Sequence, residues 1–170
     1  MRRIGDEAVL SRLLVNQGNI YARTGDFAAA QQVYAEASQR FTTLGQTHYL
    51  AMVEANEANI LTTLNEFRQA EERYRQARSH FAAANLASAV AQVDHNLGYL
   101  AFMQGNYQQA LHLFSQARST FSTQQSSIDV AYADLYRAEI YLALNLWPEV
   151  LAVARATRPV FEEALMQWES

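Results

Sequence analysis

Asn96–Phe121, NLGYLAFMQGNYQQALHLFSQARSTF, has the pattern of two amphipathic helices joined by a short turn. Related stretches span Asn16–Phe41 and Asn56–Phe81, and a more divergent one spans Tyr136–Phe161. The phenylalanines that close the four copies stand at positions 41, 81, 121 and 161, so the period is 40 residues without an insertion. A fixed period of this length is typical of stacked repeat arrays.

Each copy is predicted to be a helical hairpin, because apolar residues recur every three or four positions on both sides of the turn. The turn of the first copy is Gly25-Asp26, and glycine at its first position favours the left-handed conformation that ends many helices. Asp26, and Asn106 in the third copy, are expected to accept a bond from the free amides of the following helix. The first hairpin should therefore contain helices over about Asp6–Thr24 and Phe27–Leu44.

Small and large residues also keep the 40-residue step, which indicates close packing between the helices. The small column of the first helix is Gly18, Ala58, Gly98 and Ala138, and an aromatic column of the second is Tyr34, Tyr74 and Phe114. One hairpin cannot bury its own apolar face, so neighbouring hairpins must stack. We predict one domain over residues 1–170, with repeats at about 6–44, 45–84, 85–124 and 125–168.

These columns resemble the tetratricopeptide repeat, which combines a small and an aromatic residue, a Gly-Asp/Asn-aromatic turn, and an Ala-aromatic-Ala series. The matching residues are Gly18, Tyr21, Gly25-Asp26-Phe27, Ala30, Tyr34 and Ala37, and then Gly98, Gly105-Asn106-Tyr107, Ala110, Phe114 and Ala117. The 40-residue unit is longer than the common unit of about 34 residues. It is similar to that of bacterial arrays attached to caspase-like CHAT domains. The resemblance implies an all-α, right-handed superhelix (solenoid) of about four hairpins that binds proteins or peptides.

Composition narrows the range of partners. The net charge of −4 argues against nucleic-acid binding. No apolar run approaches the length of a membrane span, and the N-terminus lacks the apolar core of a signal peptide, so we expect a cytoplasmic protein without membrane contact. Cysteine is absent, which excludes disulfides and thiolate metal sites.

No catalytic signature is present, so the chain is expected to be a binding module rather than an enzyme. The sequence contains no GxSxG, no glycine-rich phosphate loop and no HExxH, and we expect no cofactor and no metal. The four histidines fall in different columns and are expected at the surface or at a groove edge: His48, His80, His95 and His112.

A polar stripe on the first helix of each hairpin is the candidate binding surface. Asn16, Asn56 and Asn96 form one column of this stripe, and Asn19 and Asn59 form another. Because asparagine both donates and accepts, repeated asparagines are suited to gripping the backbone of an extended peptide, and some tetratricopeptide superhelices carry such a ladder. The alternative is that these side chains bond between adjacent helices or only to water.

The stripe changes from polar and basic in the first repeat to aromatic in the last two. We therefore predict a peptide with acidic groups near the first repeat and apolar groups near the third and fourth. The predicted contact residues are Arg12, Asn16, Asn19, Arg23, Asn56, Asn59, Asn96, Tyr99, Phe102, Met103, Tyr132 and Tyr136. Alternatively, the aromatic end is a contact surface for a further domain.

The sequence leaves the biological setting open. The C-terminal stretch carries Phe161, Leu165 and Trp168 without a polar closing helix, which suggests a fragment of a larger multidomain protein, or self-association through uncapped ends. In the first case the chain is a scaffold or the regulatory arm of a CHAT protease. A ligand-sensing domain of a bacterial transcription regulator is the alternative.

Overall fold

The computed structural model describes the backbone of residues 4–168 and the side chains of residues 6–164. Over this part of the chain there are eight α-helices and no strand, which confirms the all-α prediction of four hairpins. The helices are α1 (Ile4–Arg23), α2 (Phe27–Thr43), α3 (Thr47–Thr63), α4 (Phe67–Ala83), α5 (Ala87–Met103), α6 (Tyr107–Thr123), α7 (Ser127–Ala143) and α8 (Trp147–Trp168).

The hairpin turns have the left-handed residue that the sequence predicts. Gly25 has a φ of 81° and Asn65 a φ of 60°. At the end of α1, the amide of Asp26 donates to the carbonyl of Tyr21 at 2.9 Å, which satisfies one of the last carbonyls of that helix. The Asp26 carboxylate accepts from the amide of Ala29 at 3.1 Å, as predicted. The same prediction is wrong for Asn106, whose side chain makes no capping bond to α6.

The helices group into two compact units, Met1–Leu86 and Ala87–Ser170. Each unit contains two hairpins. In the first unit α2 packs on α3, and in the second α6 packs on α7. Each unit therefore contains one copy of the contact between the second helix of a hairpin and the first helix of the next.

The core of the first unit follows the repeated columns. Ala30, Tyr34 and Phe41 of α2 are at most 1% exposed, and they pack with Val53 and Ile60 of α3. Full burial of an aliphatic or aromatic side chain contributes about 1.5–3 kcal/mol. The helix-to-helix contact thus depends mainly on these apolar columns.

The second unit repeats this arrangement with different side chains. Ala110 and Phe114 of α6 share a cluster with Ile140 of α7, and all three are fully buried. A second core cluster contains Ala117 and Phe121 of α6. The apolar columns read from the sequence therefore form the core of both units.

One side of α1 exposes residues whose counterparts are buried. Leu13 is 57% exposed and Ile20 is 62% exposed, whereas Val53 and Ile60, one repeat later, are 0% and 2% exposed. The difference arises because α2 covers Val53 and Ile60, while no described helix covers that side of α1. The side chains of Leu165 and Trp168, on which the prediction of an uncapped C-terminal end depends, lie outside the described residues.

None of the helices in the described part of the chain combines the length and the apolar character needed to cross a membrane.

Candidate functional site

The predicted stripe of the first unit borders two hollows between α1 and α3. The apolar hollow has a volume of about 280 Å³ and is lined by Val9, Arg12, Leu13, Val15, Asn16, Tyr49 and Met52. The amide hollow has a volume of about 420 Å³ and is lined by Asn19, Ala22, Arg23, Phe27, Tyr34, Asn56, Asn59, Ile60 and Thr63. All six stripe residues predicted in this unit therefore line one hollow or the other.

Hydrogen bonds inside the amide hollow hold its asparagines in place. The hydroxyl of Tyr34 donates to Oδ1 of Asn19 at 2.6 Å, and Nδ2 of Asn56 donates to the same oxygen at 2.9 Å. In the next hairpin the hydroxyl of Tyr74 donates to Oδ1 of Asn59 at 2.6 Å. Asn19, Asn56 and Asn59 therefore form hydrogen bonds between helices, which was the alternative to peptide binding.

These bonds divide the asparagines by role. A carbonyl oxygen has two lone pairs, and the two donors fill both at Asn19. The side chain of Asn19 therefore orients Asn56 and retains only its amide hydrogens for a ligand. Asn16 is exposed at the edge of the apolar hollow. Asn56 is half-buried, and its carbonyl oxygen remains an acceptor.

Two arginines provide positive charge along this surface. Among the described residues neither Arg12 nor Arg23 forms an ion pair, whereas Arg40 of the same unit binds both Glu7 and Glu36. The Arg12 guanidinium lies 5.9 Å from the centre of the Tyr49 ring, within the range of a cation–π contact. Both arginines are exposed, so their charge is available to an anionic group.

Three of the six residues predicted in the second unit, Tyr99, Phe102 and Tyr136, belong to an aromatic cluster. The rings of Tyr99 and Tyr136 lie 5.3 Å apart in an edge-to-face arrangement, and Phe114 stacks on Tyr136 at 5.4 Å. Phe102 lies between Tyr99 and Tyr107, at 6.5 Å and 6.0 Å. Contacts of this kind add about 0.5–1.5 kcal/mol beyond their burial, so this cluster is mainly structural.

The two units make the same contact with different chemistry. Asn19, Tyr34 and Asn56 correspond by repeat position to Tyr99, Phe114 and Tyr136. In the first unit a hydroxyl and two amides form hydrogen bonds, and in the second unit the rings pack together.

This pairing could have been found in the sequence. The third repeat loses the tyrosine hydroxyl at Phe114 and also loses the asparagine at Tyr99. Two columns that change together within one chain indicate a contact.

The remaining predicted residues of the second unit are more accessible. Met103 is 45% exposed and Tyr132 is 48% exposed, although the Tyr132 ring also contacts Phe161 at 5.6 Å. Asn96 is half-buried, and its carbonyl oxygen lies 3.5 Å from Nε2 of Gln92. Met103 and Tyr132 therefore offer apolar surface in this unit.

His95 was predicted at the surface or at a groove edge, and the surface placement is wrong. Its ring is half-buried between Phe114 and Tyr136, at 5.2 Å and 5.3 Å, and both ring nitrogens are buried. Burial lowers the pKa of His95, while Asn96 and Asp129 act in the opposite direction. We expect a neutral imidazole that acts as an aromatic core residue. The sequence carried a weak signal, because the same column holds Val15 and Leu135.

Ionisable groups near the amide hollow have shifted pKa values. Burial, together with the nearby Glu57 carboxylate, raises the pKa of Tyr34 to about 12. Burial also raises the pKa of Glu57. Arg73 has the opposite effect, and its Nε lies 3.5 Å from the Glu57 carboxylate. Tyr34 therefore stays a neutral hydrogen-bond donor at physiological pH.

The chemistry available here is recognition by hydrogen bonds, charge and apolar contact. Within the described part of the chain, no group of three histidine or acidic side chains is arranged to hold a metal ion. Two of the three buried carboxylates in this part of the chain form ion pairs: Glu54 with Nδ1 of His80 at 2.8 Å, and Asp134 with Nε of Arg118 at 2.8 Å.

Comparison with known proteins agrees with the repeat pattern. A family model described as tetratricopeptide repeat matches residues 9–83. No curated protein matches the sequence significantly.

Two solved structures show the same fold. BtubC (BKLC) from P. vanneervenii is 21% identical, with a TM-score of 0.79 over 95% of this chain and 66% of that one. Aspartyl phosphate phosphatase F from Bacillus subtilis is 14% identical, with a TM-score of 0.86 over 96% of this chain and 42% of that one. This chain therefore has a tetratricopeptide-like helical-repeat fold and spans only part of the length of either structure.

Proposed function

We propose that the chain is a non-catalytic scaffold that binds an extended, acidic peptide or partner segment along α1 and α3 of the first unit. The observation that carries this proposal is the grouping of Arg12, Asn16, Arg23 and Asn56 around two adjoining hollows. Arginine attracts carboxylates, and asparagine pairs with the donor and the acceptor of a peptide unit.

The expected energies require several contacts together. A hydrogen bond from an asparagine to a peptide contributes about 0.5–1.5 kcal/mol net. Two such bonds, from Asn16 and Asn56, would give only weak binding. The arginines and the apolar hollow must therefore contribute much of the affinity and of the specificity.

A binding assay with two matched variants tests the proposal. The probe is a fluorescein-labelled pool of acetylated decapeptides rich in aspartate and glutamate, and the readout is fluorescence anisotropy. The double variant Asn16→Ala/Asn56→Ala should bind about tenfold more weakly, because it loses about 1.4 kcal/mol. Asn106→Ala removes an exposed asparagine from the second unit and should bind like the wild type. Equal binding by all three proteins would reject the proposal.

A second proposal concerns self-association, in which the exposed side of α1 binds α8 of a second copy. Ile20, outside the apolar hollow, presents part of the apolar surface that α2 covers in the next hairpin, where Ile60 is buried. On α8, Trp147 is 57% exposed and Leu151 is 54% exposed. Such a head-to-tail contact is heterologous, so it extends with concentration instead of stopping at a dimer.

A regulatory role within a larger protein is a further candidate, favoured by the length of the two similar structures. The chain spans 66% of one and 42% of the other. We propose that additional segments, such as a CHAT protease domain or a DNA-binding domain, accompany this array in the full protein. The coding sequence next to this chain distinguishes the two cases, and finding neither would remove both.

A further inference from the structure

The apolar hollow has the size of a site for a single side chain. Its volume of about 280 Å³ is just below the ~300–1,000 Å³ typical of small-molecule pockets. It lies beside the amide hollow along the same two helices, and both are lined by residues of α1 and α3. A peptide that follows the stripe would therefore pass over it.

Exposed apolar side chains are gathered around this hollow. Val9 is 47% exposed, Leu13 is 57% exposed and Met52 is 43% exposed, and buried Val15 is among the other lining residues. Single exposed apolar residues are ordinary, but a contiguous group with polar neighbours marks an interaction site. The hollow is thus suited to an apolar group from a partner.

The position of Arg12 adds a charge requirement. Its guanidinium lies over the Tyr49 ring at the edge of the hollow, and it forms no ion pair within the described residues. The corresponding positions of the second unit hold Gln92 and Asp129, so the cation is replaced by an amide and the aromatic ring by a carboxylate. The second unit therefore has neither the arginine nor the aromatic ring at these two positions.

We propose that the apolar hollow binds an apolar side chain of a peptide, such as leucine, methionine or phenylalanine, whose neighbouring residue is an aspartate or glutamate that pairs with Arg12. This inference rests on the proposed peptide binding and adds its sequence preference. The apolar side chain covers Leu13 and Met52, and the carboxylate binds the guanidinium while Tyr49 holds that group in place.

Selection from a random library tests the preference. The probe is a phage-displayed library of random decapeptides, selected separately on the wild type, Arg12→Gln and Arg12→Glu. The wild type should enrich peptides in which an apolar residue adjoins an acidic one. Arg12→Gln copies the residue of the second unit and should lose the acidic preference. Arg12→Glu should replace it by a preference for lysine or arginine. Arg12 is exposed, so these variants should melt like the wild type.

A second pair of variants tests the apolar contact. Met52→Gln, at the hollow, should reduce enrichment of the apolar residue at least fivefold and keep the acidic preference. Leu64→Gln alters a residue that is 42% exposed at the end of α3 and should change neither. If the wild type enriches peptides without the apolar–acidic pair, this inference is wrong while peptide binding stands. If no peptide is enriched, both the binding proposal and this inference are rejected.

Discussion

The hydroxyl of Tyr34 donates a 2.6 Å hydrogen bond to Oδ1 of Asn19, and one repeat later Tyr74 makes the same bond to Asn59. The Tyr34–Asn19 bond joins α1 to α2. Asn56, in the following hairpin, donates to the same oxygen of Asn19. The Tyr34–Asn19 bond therefore links the packing of the first unit to the arrangement of its candidate binding surface.

Removing the hydroxyl should destabilise the first unit modestly. Tyr34→Phe loses one partly buried hydrogen bond, so the free energy of unfolding should fall by about 1 kcal/mol. The ring itself fits, because Phe114 occupies the same column of the third repeat. Urea unfolding monitored by circular dichroism measures the change. Tyr21→Phe is the control, since its hydroxyl accepts only an exposed bond from Gln17. Equal stability of the two variants would argue against the Tyr34–Asn19 bond.

The glycines of the small column should differ in their tolerance of alanine. A Cβ at Gly18 would clash with the Tyr34 ring, whereas one at Gly98 would lie 3.0 Å from the Phe114 ring. Overpacking of this kind costs about 1–3 kcal/mol, and alanine recovers up to about 1 kcal/mol through its helix propensity.

Gly18→Ala should therefore destabilise the protein, while Gly98→Ala should change its stability by less than about 1 kcal/mol. Thermal unfolding of the two variants measures the difference. A stabilised Gly18→Ala variant would contradict the close contact with Tyr34.

The buried imidazole of His95 should make stability depend on pH. Its pKa is below the usual 6.5, so around pH 6 the unfolded chain binds more protons than the folded one. The free energy of unfolding should therefore fall as the pH decreases below about 6.5. His95→Leu, which copies Leu135 of the same column, should reduce this slope.

The control for that measurement is His112→Gln, at an exposed position of α6. Urea unfolding between about pH 5 and pH 7 compares the three proteins. If His95→Leu keeps the slope of the wild type, the pH dependence arises from other groups.

The apolar side of α1 should control self-association. Ile20→Glu places a charge where a second copy would pack, so sedimentation velocity should show that concentration-dependent association is lost. Leu64→Glu is the control, because Leu64 is also exposed in the first unit but lies at the end of α3. A wild-type protein that stays monomeric at millimolar concentration would reject the proposed contact.

The sequence predicted the repeats well because packing fixes their columns. Phe41, Phe81 and Phe121 are at most 5% exposed, and they stand one period apart. The turn residues were also predicted correctly, because few residues adopt a positive φ without cost. Gly25 and Asn65 both have a positive φ. Such local requirements act at every repeat and leave a periodic signal.

The candidate site was harder to predict because it depends on contacts between columns. The asparagine columns suggested a ligand, yet the side chain of Asn19 is occupied by Tyr34 and Asn56. His95 has polar atoms, and its burial follows from the rings of Phe114 and Tyr136 on other helices. A prediction of burial or binding from each residue type alone does not include these neighbouring side chains.

The central claim is that α1 and α3 of the first unit form a surface for an acidic peptide. Amide chemical-shift mapping by nuclear magnetic resonance tests it most directly, with the tightest-binding decapeptide from the library titrated into the full chain. The largest shifts should occur around Arg12, Asn16 and Asn56. Saturable shifts confined to the helices of the second unit, with α1 and α3 unchanged, would contradict it.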